Sequence, residues 1–372
     1  MNTLAHFRKT WNALWAKWRR SDIALHPLGP TPSDALPLEA TLQPLVVELL
    51  NADGEMAEEL FASAQAIRNS EVGKTIDLRA AVDASNVCRV NCAYCPMRRD
   101  NLKYVRVNRA TVEQIVLAAR SAHALGFRQL FLQSGEDLAI VSIVADAVRS
   151  ILTAHNDWEI TLNVGNLNSE HYRILFEAGA RKYLIKHETA NPVLHEQYRD
   201  ETLINRVMHM LRAREAGFVI GSGNILGLPG QTDDDLVDDI IFLGRINCTT
   251  MISCAPFTPS DELPAPFGCQ PPGDFEKTKR FVALLRHAFP SARIPATSNL
   301  DSPHYPPRPS GKTGQAEMID AGANGITVNF TPTEVEKDYG LYDRGFKRHI
   351  VDLEKAEQVS RETGLPLALT VS

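Results

Sequence analysis

The sequence predicts an α/β fold, a parallel (β/α)8 barrel of the TIM type with an N-terminal helical extension. Strand-like segments alternate regularly with helix-like stretches over most of the chain. Cysteines and polar motifs come directly after strand-like segments, which is where the active site of such a barrel lies. A chain of 372 residues with 44% hydrophobic content is long enough to bury one large core. The predicted strands cover 75–81, 129–133, 159–164, 182–187, 219–226, 249–255, 293–297 and 325–330.

The segment that precedes the barrel is rich in tryptophan and basic residues. Between Leu4 and Trp18, apolar side chains recur at helical spacing, and lysines and arginines lie among them. We expect this helix to pack on the barrel; the alternative is docking on a membrane surface or a partner protein, because tryptophans suit interfaces. The expected units are 1–37 (amphipathic Trp-rich helix and Pro-rich linker), 38–74 (N-terminal helices), 75–345 (barrel) and 346–372 (C-terminal helix and tail).

Composition and charge narrow the class of function. The chain has 39 basic and 45 acidic residues, and this balance gives no reason to expect nucleic-acid binding. No segment resembles a transmembrane span or a secretory leader. Only 6 cysteines occur, so a disulfide framework is not expected, and reduced cysteines suit the cytoplasm. We therefore expect a cytoplasmic enzyme that acts on a small molecule.

Three cysteines follow the first predicted strand. Cys88, Cys92 and Cys95 lie within eight residues, in the spacing C-x3-C-x2-C. Three thiolates can hold three irons of a 4Fe-4S cluster and leave the fourth iron open to a small molecule. Zinc is the alternative, but it prefers a closed set of four ligands, and the next histidine is His123, far along the chain. The spacing therefore favours a cluster with one open iron.

Other motifs follow the second, fourth and fifth strands. Gly135, in Ser134-Gly135-Glu136, allows the backbone to approach a ligand and to present acceptors to an ammonium group. Glu188 is placed to accept a hydrogen bond from a ribose, and an arginine such as Arg206 pairs with a carboxylate in a geometry that lysine reproduces poorly. The Gly-rich run 221–230 suits close contact with a flat ring. Each motif alone is also found at ordinary loops and surfaces.

Together these motifs resemble the radical SAM superfamily. The three cysteines, with Tyr94 before the last one, resemble its cluster signature, and Ser134-Gly135-Glu136 resembles its Gly-Gly-Glu motif with Ser at the first position. More narrowly, the chain resembles the HydE-type [FeFe]-hydrogenase maturases, which are relatives of methylornithine synthase and biotin synthase. The segments that carry this likeness are 85–89, 132–137, 186–192, 227–232 and 294–297.

The resemblance implies cofactors, partners and site residues. The open iron would bind S-adenosylmethionine (SAM), which an electron from the cluster cleaves to a 5′-deoxyadenosyl radical. An electron donor such as flavodoxin or ferredoxin is implied, with a small-molecule or carrier-bound substrate of anionic character. The implied SAM contacts are Tyr94, Ser134, Gly135, Glu136, Glu188, Arg206, Asn224, Ile225 and Gly227. The implied substrate contacts are Arg106, Thr189, Thr297 and Ser298.

Departures from the family pattern keep two further functions open. Pro96-Met97 stands where HydE-type sequences usually have Gly-Leu, and the short tail lacks their C-terminal cysteine pair. Cys254 and Cys269 instead raise the possibility of a second iron-sulfur cluster that donates sulfur, as in biotin and lipoyl synthases. Cys248 cannot join it, since it would lie about 20 Å from Cys254 along the sixth strand. The second of these further functions is that of a non-catalytic iron-sulfur carrier or scaffold.

Overall fold

A parallel sheet forms the centre of the computed structural model, which describes residues 2–21, 23, 27–101, 108–248, 250–336 and 350–369. The strands are β1 Ile76–Ser85, β2 Gln129–Ser134, β3 Glu159–Asn163, β4 Lys182–Leu184, β5 Val219–Gly221, β6 Ile225–Leu226, β7 Ala255–Pro256, β8 Gly325–Asn329 and β9 Leu367–Ala368. The helices are α1 Thr3–Trp18, α2 Leu36–Leu50, α3 Gly54–Glu71, α4 Val112–Ala124, α5 Ile140–Ala154, α6 Ser169–Glu177, α7 Pro192–Arg199, α8 Leu203–Glu215, α9 Asp233–Arg245, α10 Phe275–Ala288, α11 Gly314–Asp320, α12 Thr333–Glu336 and α13 Leu353–Thr363.

The main sheet follows the chain order. Its strands lie in the order β5-β4-β3-β2-β1-β8, and β9 adds to β1. Every pairing is parallel, and β1 with β2 and β2 with β3 each pair over five positions. Helices connect successive strands from β1 to β5, as the parallel pairing requires. The predicted α/β architecture is confirmed in this part of the chain.

The rest of the circuit is built from short pairings. β6 pairs with β7, and single parallel bridges join Ser222 to Ile252, Met251 to Arg293 and Pro295 to Gly325. These bridges connect β5 back to β8, which gives a TIM-barrel-like arrangement. The predicted strands at 249–255 and 293–297 are therefore shorter than expected. Pro256 and Pro295 contribute to this, because proline has no N–H to donate to a ladder.

Side-chain caps fix where several helices begin. Thr111 and Gln114 form a reciprocal capping box at the start of α4, and Thr232 and Asp235 do the same at α9. The acidic first turn of α9 lies at the positive end of the helix dipole. Because α4 and α9 lead out of strand-end loops, these caps also set the paths of the loops that surround the site.

The N-terminal helix packs on the barrel, as expected. Trp11 is buried, its Nε1 donates to the Ala288 carbonyl at 2.7 Å, and its ring meets Phe289 edge-on at 5.3 Å. Trp18 packs so closely on α9 that a Cβ added to Gly244 would lie 2.3 Å from its ring. Within the described residues no helix combines the length and apolarity that crossing a membrane requires. The predicted barrel end at residue 345 lies outside the described residues.

Candidate active site

The three predicted cluster cysteines lie on the loop that follows β1. Cys92 is buried, and its sulfur accepts a hydrogen bond from Arg199 Nη1 at 2.7 Å. Cys88 and Cys95 are half-buried, and Cys88 Sγ accepts from the backbone N–H of Glu136 at 3.4 Å. The loop is thus held from two sides, by the end of α7 and by the loop after β2.

Burial favours the protonated form of two of these thiols, Cys92 and Cys95. Burial raises the pKa of Cys92, although Arg199 opposes the rise. Burial also raises the pKa of Cys95, and the neighbouring cysteines add to the effect. A coordinated metal is the strongest local source of positive charge and deprotonates a ligating thiol. The electrostatics of the loop therefore suit cysteines whose thiolate form depends on a metal cofactor.

The spread of the sulfurs distinguishes a cluster from a zinc ion. Within the described part of the chain, one set of three His, Cys, Asp or Glu side chains has all its ligand atoms within 4.8 Å of one another, and it contains no cysteine. At least one pair of the three cysteine sulfurs is therefore more than 4.8 Å apart. A single tetrahedral zinc would bring thiolate sulfurs to about 3.8 Å from one another. The donor set fits the larger frame of an iron-sulfur cluster with one iron left open.

A cavity of about 310 Å³ extends from the cysteine loop into the barrel. Tyr94 and Cys95 line it at the loop, and Arg79 lines it deep inside, on β1. The Tyr94 hydroxyl is buried and has no hydrogen-bond partner within the described residues. Polar and charged side chains, among them Asp83, Lys186 and Glu188, line the cavity together with apolar ones, which suits a polar small molecule.

The motif after β2 is divided between the cavity and the protein interior. Gly135 cannot be replaced without strain, because an added Cβ would lie 2.2 Å from the Val87 carbonyl oxygen and 2.9 Å from Cys88 Cβ. Ser134 lines the cavity. Glu136 does not; its carboxylate accepts hydrogen bonds from Arg89 Nε at 3.1 Å and from the Asn166 N–H at 2.8 Å. In this structure Glu136 joins the loops around the cysteines, and its contact with SAM stays a prediction.

Glu188 lies in the cavity wall after β4, as predicted. Its backbone is left-handed, with φ of 63°, a strained conformation for a residue with a side chain. Its Oε2 lies 3.0 Å from Nζ of Lys186, a second cavity-lining residue. Burial alone would raise the pKa of Glu188, but the charges of Lys186, Arg199 and Arg206 outweigh it, and the pKa is lowered. Glu188 therefore presents a carboxylate, in agreement with hydrogen bonding to a ribose.

Three other predicted contacts lie behind the cavity wall. Arg206 donates from Nε to the Lys186 carbonyl at 2.8 Å and from Nη1 to Asn166 Oδ1 at 2.6 Å. Thr189 is buried and accepts from the Asn191 N–H at 3.3 Å. Asn224 is buried and donates to Asp239 Oδ2 at 2.7 Å. None of Arg206, Thr189 and Asn224 lines the cavity, because their polar atoms join strand ends to helices instead.

A buried polar network holds Glu188 in its strained conformation. His187 Nδ1 lies 2.9 Å from Ser222 Oγ, and His187 Nε2 lies 3.2 Å from Asp239 Oδ1. Asp239 also accepts a hydrogen bond from the Ala190 N–H at 2.6 Å. It therefore contacts the chain both before and after Glu188. The Ser-His-Asp set superficially resembles a hydrolase triad, but all three side chains are fully buried and cannot meet a substrate. Its role is to position Glu188.

The Gly-rich run contributes one wall of the cavity. Ile225 lines the cavity and belongs to a small apolar cluster that also contacts Tyr94. Gly227 has φ of 87°, and an added Cβ would lie 2.5 Å from Gly273 Cα. Gly227 therefore acts through backbone shape, whereas Ile225 offers a direct apolar contact.

The predicted substrate hydroxyls lie where the sequence places them. Thr297 and Ser298 both line the cavity. Thr297 Oγ1 is buried and has no hydrogen-bond partner in the described part of the chain, a condition that costs free energy unless a ligand satisfies it. Arg106 lies outside the described residues.

The structure does not join Cys254 and Cys269 at the cavity. Ser253 and Ala255 line the cavity, so the alternation of side chains turns Cys254 away from it, into the apolar core. Cys269 is exposed, at the end of a short 3-10 turn. A shared auxiliary cluster at the barrel mouth is therefore not supported by these positions.

Sequence reasoning missed three charged residues of the site. Arg79 and Lys186 line the cavity, and Arg199 donates to Cys92. The sequence contained one signal for Arg79 and Lys186. A charged residue within a predicted buried parallel strand is unusual and indicates a functional role. Arg199 lies at the end of a short helix, and nothing in its local sequence sets it apart.

Comparison with known proteins places the chain. The model of the radical SAM superfamily matches residues 82–243. The [FeFe] hydrogenase maturase subunit HydE of Thermotoga maritima is 39% identical over 306 residues, which cover 82% of this chain and 84% of the relative. The 3-methylornithine synthase of Methanosarcina acetivorans is 23% identical over 311 residues, 80% of this chain and 82% of the relative. The crystal structure of methylornithine synthase has a TM-score of 0.73 at 20% identity, over 88% of this chain and 94% of that one, and it shares the fold.

The chain therefore belongs to the radical SAM superfamily and is an enzyme whose cofactors are a 4Fe-4S cluster and SAM. Within the superfamily it belongs to the group of HydE and methylornithine synthase. The resemblance expected from the sequence motifs is confirmed.

Proposed function

We propose that this protein is a HydE-like radical SAM enzyme that acts on a small anionic substrate held in the barrel cavity. Cys88, Cys92 and Cys95 would hold the cluster, and Ser134, Glu188 and Ile225 are placed to contact SAM. When bound, the cluster and SAM supply a single electron and a 5′-deoxyadenosyl radical, which abstracts hydrogen from the substrate or adds to it. The residues of this chain position the substrate and keep water away from it.

The observation that carries this proposal is a half-buried arginine without a carboxylate partner. Arg79 donates from Nη2 to Thr327 Oγ1 at 2.9 Å, and its guanidinium lies 4.3 Å from the centre of the Phe131 ring. In the described part of the chain, no carboxylate oxygen lies within 4.0 Å of its nitrogens. Burial lowers the pKa of Arg79 to about 10, and nearby Arg293 contributes, so the group stays charged near neutral pH. A half-buried charge that faces a cavity without a counter-ion favours an anionic ligand.

A neighbouring part of the cavity wall supports the same choice of substrate. Thr297 and Ser298 line it, and the unpaired Thr297 hydroxyl can donate to an anion. Lys186 adds a second cation near the cysteine loop, where it neutralises Glu188. A cation deep in the cavity and hydroxyls along one wall suit a ligand with at least one carboxylate or similar group.

The two alternative functions receive less support. A sulfur-inserting enzyme of the biotin or lipoyl synthase type would need Cys254 and Cys269 near the cavity, and Cys254 faces the core instead. A non-catalytic carrier or scaffold would have no use for a cavity that extends from the cluster loop to Arg79.

The proposal also covers the partners and the location. The enzyme needs a reductant, and we infer that a flavodoxin or ferredoxin in the cytoplasm supplies the electron. Docking of α1 on a membrane surface or another protein would have to use exposed basic side chains such as Arg8 and Arg19, because its tryptophans pack on the barrel. Removal of residues 2–21 tests that docking, which is excluded if membrane and partner association are unchanged.

The test is replacement of HydE in a hydrogenase maturation mixture. We expect the cluster-loaded protein to restore [FeFe]-hydrogenase activity to a mixture that contains the other maturation factors and lacks HydE. Arg79→Gln should abolish this activity while iron content stays at the wild-type level, because only the anion partner is removed. If the wild-type protein forms 5′-deoxyadenosine from SAM and yet restores no hydrogenase activity, the HydE-like assignment is wrong and another anionic substrate must be sought.

A further inference from the structure

We propose that His123, His155 and Asp157 form a binding site for a zinc ion at the end of the barrel opposite the cysteine loop. Their ligand atoms all lie within 4.8 Å of one another, which distinguishes this set from every other group of three His, Cys, Asp or Glu side chains in the described residues. His123 ends α4, His155 directly follows α5, and Asp157 lies in the turn before β3. The site is independent of the radical SAM chemistry.

The spacing of the three side chains is close to that of a metal site. His123 Nε2 lies 3.0 Å from Asp157 Oδ1, and the rings of His123 and His155 stack with their centres 3.7 Å apart. Tetrahedral zinc with nitrogen and oxygen ligands at its usual distances places the ligand atoms about 3.4 Å apart. Both rings must rotate out of the stack so that one nitrogen of each points at the ion.

The surroundings hold the ligands in place. Arg128 Nε contacts Asp157 Oδ2 at 2.5 Å, which leaves Oδ1 directed at the histidines. The same guanidinium donates from Nη1 to the His123 carbonyl at 3.2 Å, so one side chain orients two of the ligands. Trp158 lies 5.5 Å from the His123 ring and covers one side of it. Hydrogen bonds to the ligands of this kind are typical of metal sites, where they fix the ligand geometry.

The chemistry of the set selects the ion. Two imidazoles and one carboxylate suit zinc better than calcium or magnesium, which prefer oxygen ligands. Three protein ligands leave a fourth position for water. Because Arg128 balances the charge of Asp157, the site offers zinc two neutral imidazoles and little net negative charge. We therefore expect a moderate affinity for zinc. The bound ion would connect α4, α5 and the turn before β3.

The experiment is zinc binding by the full-length, cluster-loaded protein, in which iron occupies the reactive cysteines. After treatment with a weak chelator, the protein is dialysed against Zn²⁺ alone, and zinc and iron per chain are measured together with the melting temperature. We expect one zinc per chain, unchanged iron, and a higher melting temperature in zinc.

Variants locate the zinc. His155→Ala should lower the affinity for zinc at least tenfold and abolish the zinc-dependent rise in melting temperature, since it removes one of three ligands. Asp157→Asn keeps the size of the side chain and guards against misfolding; it should weaken zinc binding as well. The matched control, His6→Ala, removes a histidine on α1, which packs against α2, α9 and α10, and should bind zinc like the wild type.

Two results would overturn the site: no zinc retained by the wild type, or equal zinc retained by the wild type and both site variants. Failure of 5′-deoxyadenosine formation would leave the zinc result unaffected, so the two proposals fail separately.

Discussion

The two halves of the barrel differ in strand pairing and in the site residues that they carry. The regular half consists of β1 to β5 with β8, joined by continuous parallel ladders. The bridged half comprises residues 222–299. Single bridges connect it to the regular half, and single bridges and the two-residue pairing of β6 with β7 connect its own segments. The cysteine loop and Glu188 follow strands of the regular half, whereas Thr297 and Ser298 belong to the bridged half.

The difference shows how one fold can keep its cofactor chemistry and change its substrate. Continuous ladders fix the direction in which each strand ends, so the groups that hold cofactors keep a constant geometry. Irregular backbone in the bridged half places single side chains such as Thr297 against the cavity without a ladder to preserve. Changes at the cysteine loop and Glu188 should therefore affect SAM cleavage, and changes at Thr297 and Ser298 should affect substrate turnover.

The largest effect is expected from the cluster loop. Cys92→Ala removes a buried ligand, so iron per chain should fall and formation of 5′-deoxyadenosine should drop to background. Iron analysis and product quantification from SAM and dithionite check this. The matched control is Cys269→Ala, an exposed cysteine that should be silent. Loss of iron in Cys269→Ala would support an auxiliary cluster that uses Cys269 as a ligand.

The next effect concerns the support of that loop. Gly135→Ala forces a Cβ to 2.2 Å from the Val87 carbonyl oxygen, so the cysteine loop must shift, at a cost of about 3 kcal/mol. The melting temperature and the iron content should both fall. Gly325→Ala is the control, because its nearest neighbour would be 3.6 Å away and its φ is not positive. Equal behaviour of the two variants would contradict the tight packing of Gly135 on the loop.

A smaller and more selective effect is expected in the bridged half. Thr297→Val removes the unpaired hydroxyl but keeps the shape, so substrate turnover should fall about tenfold while SAM cleavage without substrate stays unchanged. Hydrogenase activation and 5′-deoxyadenosine formation measure the two activities. Thr41→Val, on α2, should leave both as in the wild type. An equal fall of both activities in Thr297→Val would contradict the proposed role of Thr297 in substrate binding.

An effect on stability alone concerns His287, a buried histidine on α10 within the bridged half. Burial, with a contribution from Arg8, lowers the pKa of His287 to about 4, whereas the unfolded chain has a value near 6.5. The folded state therefore binds fewer protons, and its stability is complete above pH 6.5 and declines as the pH falls toward 4, by about 3 kcal/mol for this group.

His287→Gln should reduce that decline. Unfolding of the wild type and the variant at pH 7.5 and pH 5 measures it, and the variant should lose less stability between the two pH values. An identical loss in both proteins would show that His287 is not the titrating group.

The regular half could be predicted from the sequence because local patterns determine it. The strands β1, β2 and β3 read as apolar segments bounded by helix signals, and the cysteine spacing depends on no distant contact. The same holds for the acidic start of α9, where Thr232 and Asp235 cap the helix. Local sequence thus identified the cofactor class and the loop that carries it.

The bridged half and the rear of the site could not be predicted in this way. Whether Glu136 faces the cavity depends on Arg89, which precedes it by 47 residues, and on the Asn166 backbone. Arg206 is predicted to contact SAM, and the structure adds hydrogen bonds from its guanidinium to the Lys186 carbonyl and Asn166 Oδ1. Such assignments depend on tertiary contacts that single-residue patterns do not contain.

The central claim, that Thr297 of the bridged half serves the substrate and not the cofactor chemistry, has a direct test. The protein is purified without oxygen, loaded with iron and sulfide, and analysed for iron per chain and for 5′-deoxyadenosine formed from SAM and dithionite. The account predicts about four irons and 5′-deoxyadenosine in both the wild type and Thr297→Val. About eight irons per chain, or a formed cluster that cleaves no SAM, would contradict it.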